Sequence, residues 1–221
     1  MSTESPFDRS YPADRLTFFS DGVMAVAITV LVLALKLPEG SSPASLYAGL
    51  AALAHPFWCY VLSFIVIGVL WMAHHAQFAN IRRVDAVVVW LNLFFLMSVV
   101  LIPFVTSILS DFDGPLPTVL YALVLMVSCL LLAAIWGYAC ARTGLVRSDV
   151  SRQLRRIGVI SPLLVATVFA ASIPSPMAME PRPRSGAGWS PLSPVLSVTV
   201  SPARDVFAAL TRIANHVRNK S

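Results

Sequence analysis

Charged residues are scarce in this chain, and their scarcity excludes most classes of protein. They make up 12% of its 221 residues, whereas hydrophobic residues make up 57%. Soluble domains carry about 25% charged residues, so a soluble fold is excluded. The three cysteines all lie in or beside apolar runs and lack metal-ligand spacing. Neither a disulfide framework nor a metal site is therefore predicted.

Catalytic signatures are missing as well. The sequence has no Ser-His-Asp order, no metal box and no phosphate-binding loop, so we predict neither an enzyme nor a cofactor. The net charge of +5 is distributed among loops, and it does not indicate a nucleic-acid partner. The first apolar run ends without a small-residue cleavage site, which predicts a retained helix instead of a signal peptide.

Five long apolar runs define the fold class. Each can cross roughly 30 Å of hydrocarbon as a helix. They lie at about 17–37, 50–73, 87–109, 116–141 and 157–174. The sequence thus predicts an all-α integral membrane protein, a polytopic bundle in the lipid bilayer with one domain at 1–174. Pro56, inside the second run, predicts a kink.

The remaining residues, 175–221, differ in composition. They are rich in Pro and Arg and end in a basic amphipathic stretch, which predicts a linker followed by a surface helix. A sixth span is not recognisable. Two hypotheses stay open: a span hidden around 187–200, or a tail foreign to the bundle, such as a reading-frame change would produce.

Arginine and lysine predict the orientation of the helices. The N-terminal tail, the loop after the second run and the loop after the fourth carry two, two and five arginines, nine in all, against Lys36 alone on the other side. Positive residues favour the cytoplasmic side. We therefore expect a multi-pass protein of the cell membrane with a cytoplasmic N-terminus.

A short polar motif opens the first run. A carboxylate such as Asp21 is costly in a membrane helix unless it is paired or functional. Asp21 and Arg15 are six residues apart, about 120° on a helical wheel, so each should find its partner on another helix. Candidate partners at the same membrane face are Trp71, His74, His75 and Asn92. Such a cluster either fixes the helices together or relays protons between Asp21 and His75.

An apolar stripe is the second feature of the first run. It comprises Gly22, Val26, Thr29 and Leu33, which fall on one side of a helical wheel. A stripe of this kind can line a pore. A helix that is apolar all round shows a similar stripe on every face, so the wheel alone leaves both interpretations open.

The motif RLTFFSDG, residues 15–22, followed by AVAIT at 25–29, resembles the transmembrane protein 175 family of potassium-permeable channels in its bacterial single-repeat form. WMAHH at 71–75, Asn92 and Pro103-Phe104 match that pattern too. The resemblance covers about residues 10–170. It implies six helices in each subunit, a pore-forming homotetramer and a pore surrounded by the first helices.

The resemblance also implies roles for single residues. The main apolar constriction falls on Val26, a hydroxyl ring that favours potassium on Thr29 and a further apolar ring on Leu33, with Gly22 on the same stripe. The implied structural polar network comprises Arg15, Phe19, Ser20, Asp21, Trp71, His75 and Asn92. The constriction is usually Leu or Ile in the family, so Val26 is a departure.

Three functions follow as hypotheses. The first is a potassium-permeable cation channel with a hydrophobic constriction. The alternative is a proton-coupled membrane carrier that uses Asp21 and His75, although carriers more often hold such groups near the midplane on broken helices. The third is a non-conducting assembly subunit.

Overall fold

The computed structural model describes residues 11–37 and 45–172, which fold as a bundle of long helices. In chain order the elements are β1 (Tyr11–Pro12), α1 (Asp14–Val30) continued by a 3-10 turn (Leu31–Ala34), α2 (Leu46–Ala52), α3 (Ala54–Phe78), β2 (Arg83–Val84), α4 (Ala86–Val100), α5 (Ile102–Asp111), α6 (Pro115–Ala141) and α7 (Arg152–Ser172). The tail from 175 and the hidden span proposed at 187–200 lie outside the described residues.

The five predicted spans are confirmed. Helices long and apolar enough to cross a membrane run over 14–34, 54–78, 86–111, 115–141 and 152–170. The third combines α4 and α5, which meet at Leu101. Pro103 follows that junction, and because a proline nitrogen has no hydrogen to donate, it accounts for the break in the helix.

The second span differs from its prediction. It begins at Ala54 and reaches Phe78, whereas the short helix α2 precedes it and ends at Ala52. Pro56 therefore lies in the first turn of α3. The backbone N–H groups of a first turn have no partner within the helix, so a proline is tolerated there. The predicted kink takes the form of an interruption at Leu53, three residues before Pro56, which separates α2 from α3.

The bundle is built around α6. Half of the apolar segment of α6 that could cross a membrane is buried, against 22% of the corresponding segments of α1 and α3. Helix α6 packs on α4, α5 and α7, whereas α1 packs mainly on α3 and α4. Helix α1 therefore lies at the periphery of the single chain.

Buried hydroxyl groups connect the central helices. The Ser63 hydroxyl on α3 lies 2.8 Å from the Thr106 hydroxyl on α5 and 3.1 Å from the Tyr121 hydroxyl on α6. Ser128 on α6 donates to Ser98 on α4 at 2.9 Å. Hydrogen bonds of this kind join helices where no water competes, and they fix the register of α3 to α6.

The contact between α6 and α7 requires one glycine. A Cβ atom at Gly158 would overlap the indole ring of Trp136. That ring is buried, and its Nε1 donates to the Arg155 carbonyl at 3.0 Å. The missing side chain at Gly158 therefore allows the close approach of the two helices.

Candidate pore helix and its polar anchor

Helix α1 has two faces that differ in exposure. Ser20, Met24 and Ala27 are buried against the bundle. The opposite face is uncovered in the single chain: the side chains of Val26 and Leu33 are 61% and 66% exposed. Gly22 and Thr29 are exposed as well. The stripe singled out in the sequence is therefore the face of α1 that points away from the bundle.

Thr29 adds a polar group to this exposed face. Its hydroxyl donates a hydrogen bond to the backbone carbonyl of Val26 at 2.8 Å. Because a hydroxyl has one proton to donate and two lone pairs, this bond fixes the proton on the helix side and leaves the oxygen as an acceptor. An oxygen held in this way can contact a cation.

A chain of three hydrogen-bonded side chains joins α1, α3 and α4. The Asn92 amide nitrogen donates to the Ser20 hydroxyl at 2.9 Å, and the Asn92 amide oxygen lies 2.8 Å from Nε2 of His74. Ser20 in turn donates to the Leu16 carbonyl at 2.8 Å. Ser20, His74 and Asn92 are each 0% exposed. We call these three side chains the polar anchor.

The polar anchor defines the tautomer of His74. The Asn92 oxygen can only accept, so Nε2 of His74 must carry the proton. Nδ1 is buried and has no hydrogen-bond partner among the described residues. The ring stacks on Phe78 and Phe95, at centroid distances of 4.2 and 5.4 Å. The imidazole is therefore enclosed by apolar rings and oriented by its bond to Asn92.

Asp21 has a different partner. Its Oδ1 accepts a hydrogen bond of 2.8 Å from the indole Nε1 of Trp71. The Trp71 ring lies against His75, with ring centroids 5.5 Å apart. Helix α1 begins at Asp14, so Asp21 lies two turns inside the helix, about 10 Å from its start. The polar motif therefore opens the apolar run, whereas the helix itself begins about two turns earlier.

Hydrogen bonds join four of the seven residues of the predicted polar network in two pairs, Ser20 with Asn92 and Asp21 with Trp71, and His75 contacts the Trp71 ring. Phe19 is 51% exposed and lies outside the cluster. Arg15 is exposed and makes no hydrogen bond to any residue that the structure describes.

His74 is the buried histidine and bonds Asn92, whereas His75, which the resemblance implied for the network, is exposed and contacts the Trp71 ring. The sequence proposed both histidines as partners of the motif but could not separate them. The buried residues of α3 recur at helical spacing and include Ser63, Ile67, Leu70, His74 and Gln77. This periodicity was the available signal, because it places His74 on the inner face.

Comparison with known proteins supports the family resemblance that the motif at residues 15–22 indicated. Residues 15–103 match the family described as endosomal/lysosomal potassium channel TMEM175. A potassium channel of Streptomyces collinus is 37% identical over 135 residues, which are 59% of this chain and 65% of that protein. The human endosomal/lysosomal proton channel TMEM175 is 26% identical over 146 residues, which are 65% of this chain and 29% of that protein. The chain thus covers less than two thirds of the length of either relative.

A solved structure shares the fold. The TMEM175 homolog from Chamaesiphon minutus, a lysosomal potassium-selective channel by its description, superposes with a TM-score of 0.73 at 22% sequence identity. The superposition covers 89% of this chain and 97% of that one. The chain is therefore a multi-pass membrane protein whose residues 15–103 are similar to the TMEM175 family.

Proposed function

We propose that this chain is the subunit of a potassium-permeable cation channel, and that it assembles as a homotetramer with α1 around the pore. The observation that carries the proposal is the uncovered face of α1. Val26 and Leu33 are among the most exposed large apolar side chains of the described residues. With the pore axis next to this face, the two side chains would line the pore of the assembled protein.

The composition of that face distinguishes a pore or subunit contact from a surface that only meets lipid. In its middle it presents Gly22, Ala25, Val26 and Thr29, which are small or weakly polar, between the bulkier exposed side chains of Phe18 and Leu33. The exposed face of α4 and α5 instead presents bulky apolar side chains: Trp90, Phe94, Met97, Leu101 and Phe104. Small residues let membrane helices approach closely, so α1 is suited to lie beside its own copies.

The stripe supplies the elements of a selective constriction. Val26 and Leu33 are seven residues apart, so their rings would lie about 10 Å from each other along the axis. An apolar ring obstructs ions because it offers nothing in place of their water. The Thr29 oxygen, one turn from Val26, could replace part of the lost hydration shell of potassium.

The polar anchor would hold this helix in position. Two hydrogen bonds tie α1 to its neighbours. Asp21 accepts from Trp71 on α3, and Ser20 accepts from Asn92 on α4. In the proposed tetramer, the same contacts would set the distance of Val26 from the pore axis. We therefore assign Ser20, Asp21, Trp71 and Asn92 a positioning role, with His74 added to them.

Proton permeation is the second candidate, because the human relative is named a proton channel. The specific relay from Asp21 to His75 is disfavoured by geometry. Trp71 lies between the two, and its indole nitrogen donates to Asp21. An indole has a donor and no acceptor, so it cannot pass a proton onward.

The test is reconstitution of the purified chain in planar bilayers. We expect single-channel currents that reverse near the potassium equilibrium potential when the two sides hold opposite gradients of potassium and sodium. A reversal potential that follows an imposed pH gradient would favour proton permeation instead. Bilayers that stay silent with well-folded tetramers would support a non-conducting assembly subunit and contradict the proposal.

We further propose that the N-terminus is cytoplasmic in the cell membrane, and that residues 1–174 form the channel domain with 175–221 as a separate tail. The arginine-rich loops after α3 and after α6 support this orientation, because they lie at the same end of the bundle. The backbone N–H of Arg82 in the first loop donates to the Leu145 carbonyl in the second at 2.8 Å.

A further inference from the structure

Three short backbone segments meet at the end of the bundle where α1 begins. They are residues 11–13 immediately before α1, residues 80–84 after α3, and residues 145–147 after α6. Strand β1 in the first segment pairs with β2 in the second. Ile81 in the second segment forms an antiparallel bridge with Val146 in the third. We call these three segments the clasp.

The backbone of Arg82 connects all three segments. Its N–H donates to the Leu145 carbonyl at 2.8 Å, and its carbonyl accepts from the Ala13 N–H at 3.3 Å. A further bond of 3.0 Å, from the Arg147 N–H to the Asn80 carbonyl, joins the second segment to the third. Since α1 starts directly after Ala13, the hydrogen bonds of the clasp lead to the first residue of that helix.

Apolar side chains pack beneath these backbone bonds. The buried residues of the clasp are Ala13, Ile81, Val84, Leu145 and Val146. Gly144 has a φ of +90°, a left-handed conformation that glycine adopts without strain and that turns the chain back into the third segment. Buried apolar contacts and shielded backbone hydrogen bonds are typical of a unit that opens cooperatively, so the three segments should move together.

The middle segment is also fixed to α4 and α6. Asp85 directly follows β2, and its Oδ1 accepts from the Val88 N–H at 3.0 Å, which caps α4. Its Oδ2 accepts from the Tyr138 hydroxyl on α6 at 2.8 Å. The clasp therefore fixes the start of α1 relative to the end of α6.

Helix α1 is otherwise linked mainly to different parts of the bundle. It packs chiefly on α3 and α4, whereas α7 packs on α6. A displacement of the loop between α6 and α7 can thus reach α1 through the backbone bonds of the clasp. Helix α1 runs without a break from Asp14 to Val30, so a shift of its start also moves Val26, about 18 Å further along.

We propose that the clasp positions the start of α1 relative to the loop after α6, with Ala13, Arg82 and Leu145 as its positioning residues. Its effect on ion flow rests on the proposed channel function, whereas its effect on the helix does not. Four copies of α1 must keep the same distance from the axis for ions to pass the Val26 ring. A loosened clasp should therefore let α1 move and shorten the openings of the channel.

The test variant is Arg147→Pro, which has no N–H to donate to the Asn80 carbonyl. The matched control is Arg152→Pro. Arg152 is also exposed, and it is the first residue of α7, where an N–H has no partner within the helix and proline is favoured. A second control, Arg147→Gln, removes the exposed pair with Asp149 but keeps the backbone bond.

A second test variant, Ala13→Pro, acts on the other side of the clasp. It removes the N–H that donates to the Arg82 carbonyl. The φ of Ala13 is −72°, which fits the fixed φ of proline, so the change adds little backbone strain. Size-exclusion elution in detergent checks that each variant folds, and Ala13→Pro keeps the test decisive if Arg147→Pro does not.

Hydrogen exchange followed by mass spectrometry reports on the start of α1 without any current. The readout is the first hydrogen-bonded turn, Thr17 to Ser20, which begins with the bond from the Thr17 N–H to the Ala13 carbonyl at 3.0 Å. We expect about fivefold faster exchange there in both test variants. Fivefold corresponds to about 1 kcal/mol, the net contribution of one backbone hydrogen bond. Both controls should exchange like the parent chain.

Bilayer recordings then measure the consequence for the pore. The mean open time should be about fivefold shorter in the test variants than in the parent chain and the controls. The reversal potential should stay the same, because Val26 and Thr29 are unchanged. A general loss of folded protein would lower the number of channels and leave their open time as it was.

Two exchange results would overturn the proposal: parent-like exchange in both test variants, or equal acceleration in the controls, which would show that any change in this loop loosens α1. Faster exchange with parent-like open times would refute the role of the clasp in the pore. If every variant and the parent chain are silent, the channel function fails, and the exchange rates alone decide whether the clasp positions α1.

Discussion

Replacement of Asn92 by leucine should destabilise the protein through the polar anchor. Asn92 accepts from His74 and donates to Ser20, and all three side chains are fully buried. Leucine preserves the approximate size but removes both bonds. The Nε2–H of His74 then has no acceptor in an apolar site, which costs about 1–3 kcal/mol. The lost bond to Ser20 adds about 0.6 kcal/mol.

The expected destabilisation is therefore about 1.6–3.6 kcal/mol. For a chain of this size, each kcal/mol lowers the melting temperature by about 2–4 °C. We expect Asn92→Leu to melt about 3–14 °C below the parent chain. Fluorescence-detected size-exclusion of heated samples in detergent measures this shift.

The adjacent histidines provide a matched pair of controls. His74→Leu should lower the melting temperature, because it removes the partner of Asn92. His75→Leu should leave it nearly unchanged, since that side chain is exposed and contacts the Trp71 ring only from outside. Removing both partners, as in the double variant of His74 and Asn92, should cost less than the sum of the two single losses.

Two outcomes would refute this reasoning. Asn92→Leu could melt like the parent chain, or His75→Leu could be as unstable as His74→Leu. Strict additivity in the double variant would likewise show that the two side chains do not depend on each other.

Three further predictions follow from the same structure. Asp21→Ala loses the Trp71 bond and should reduce tetramer yield or thermal stability more than ion preference; loss of selectivity in a normally assembled mutant would contradict this. Ser148→Cys, on an exposed loop, should resist an impermeant thiol reagent applied outside intact cells, and labelling there would overturn the orientation. Thr29→Val should lower the potassium-to-sodium permeability ratio with little change in conductance, as bilayer recordings can show.

The membrane spans were predictable because they depend on local composition. Twenty or so apolar residues form a helix in lipid whatever surrounds them. The helical period placed Val26 and Thr29 on one stripe, but the family resemblance was needed to choose that stripe among the apolar faces of α1. The orientation hypothesis likewise rested on counting arginines along the chain.

Features that depend on contacts between distant segments were not predictable. His74 and His75 differ by about 100° around the helix, and only the positions of α1 and α4 decide which one is buried. The hydroxyl contacts of Ser63 join residues 43 and 58 positions apart, with no pattern in the sequence to mark them. The pairing of the loops after α3 and α6, through Arg82 and Leu145, is likewise invisible to a count of charges.

The size of the side chain at position 26 provides the most direct test of the channel proposal. Ala27, an obvious neighbour for comparison, is only 3% exposed, so a substitution there would report on packing. Val127 is the better control, because it is a valine on α6 that is 42% exposed. Val26→Ala and Val127→Ala remove the same two methyl groups from exposed positions.

Single-channel recording of these two variants under a potassium–sodium gradient is the deciding measurement. If four copies of Val26 form the constriction, Val26→Ala widens it and weakens the dehydration barrier. We predict larger currents and a higher relative sodium permeability for Val26→Ala, with Val127→Ala indistinguishable from the parent channel. Equal behaviour of the two variants would show that the exposed face of α1 does not line the pore.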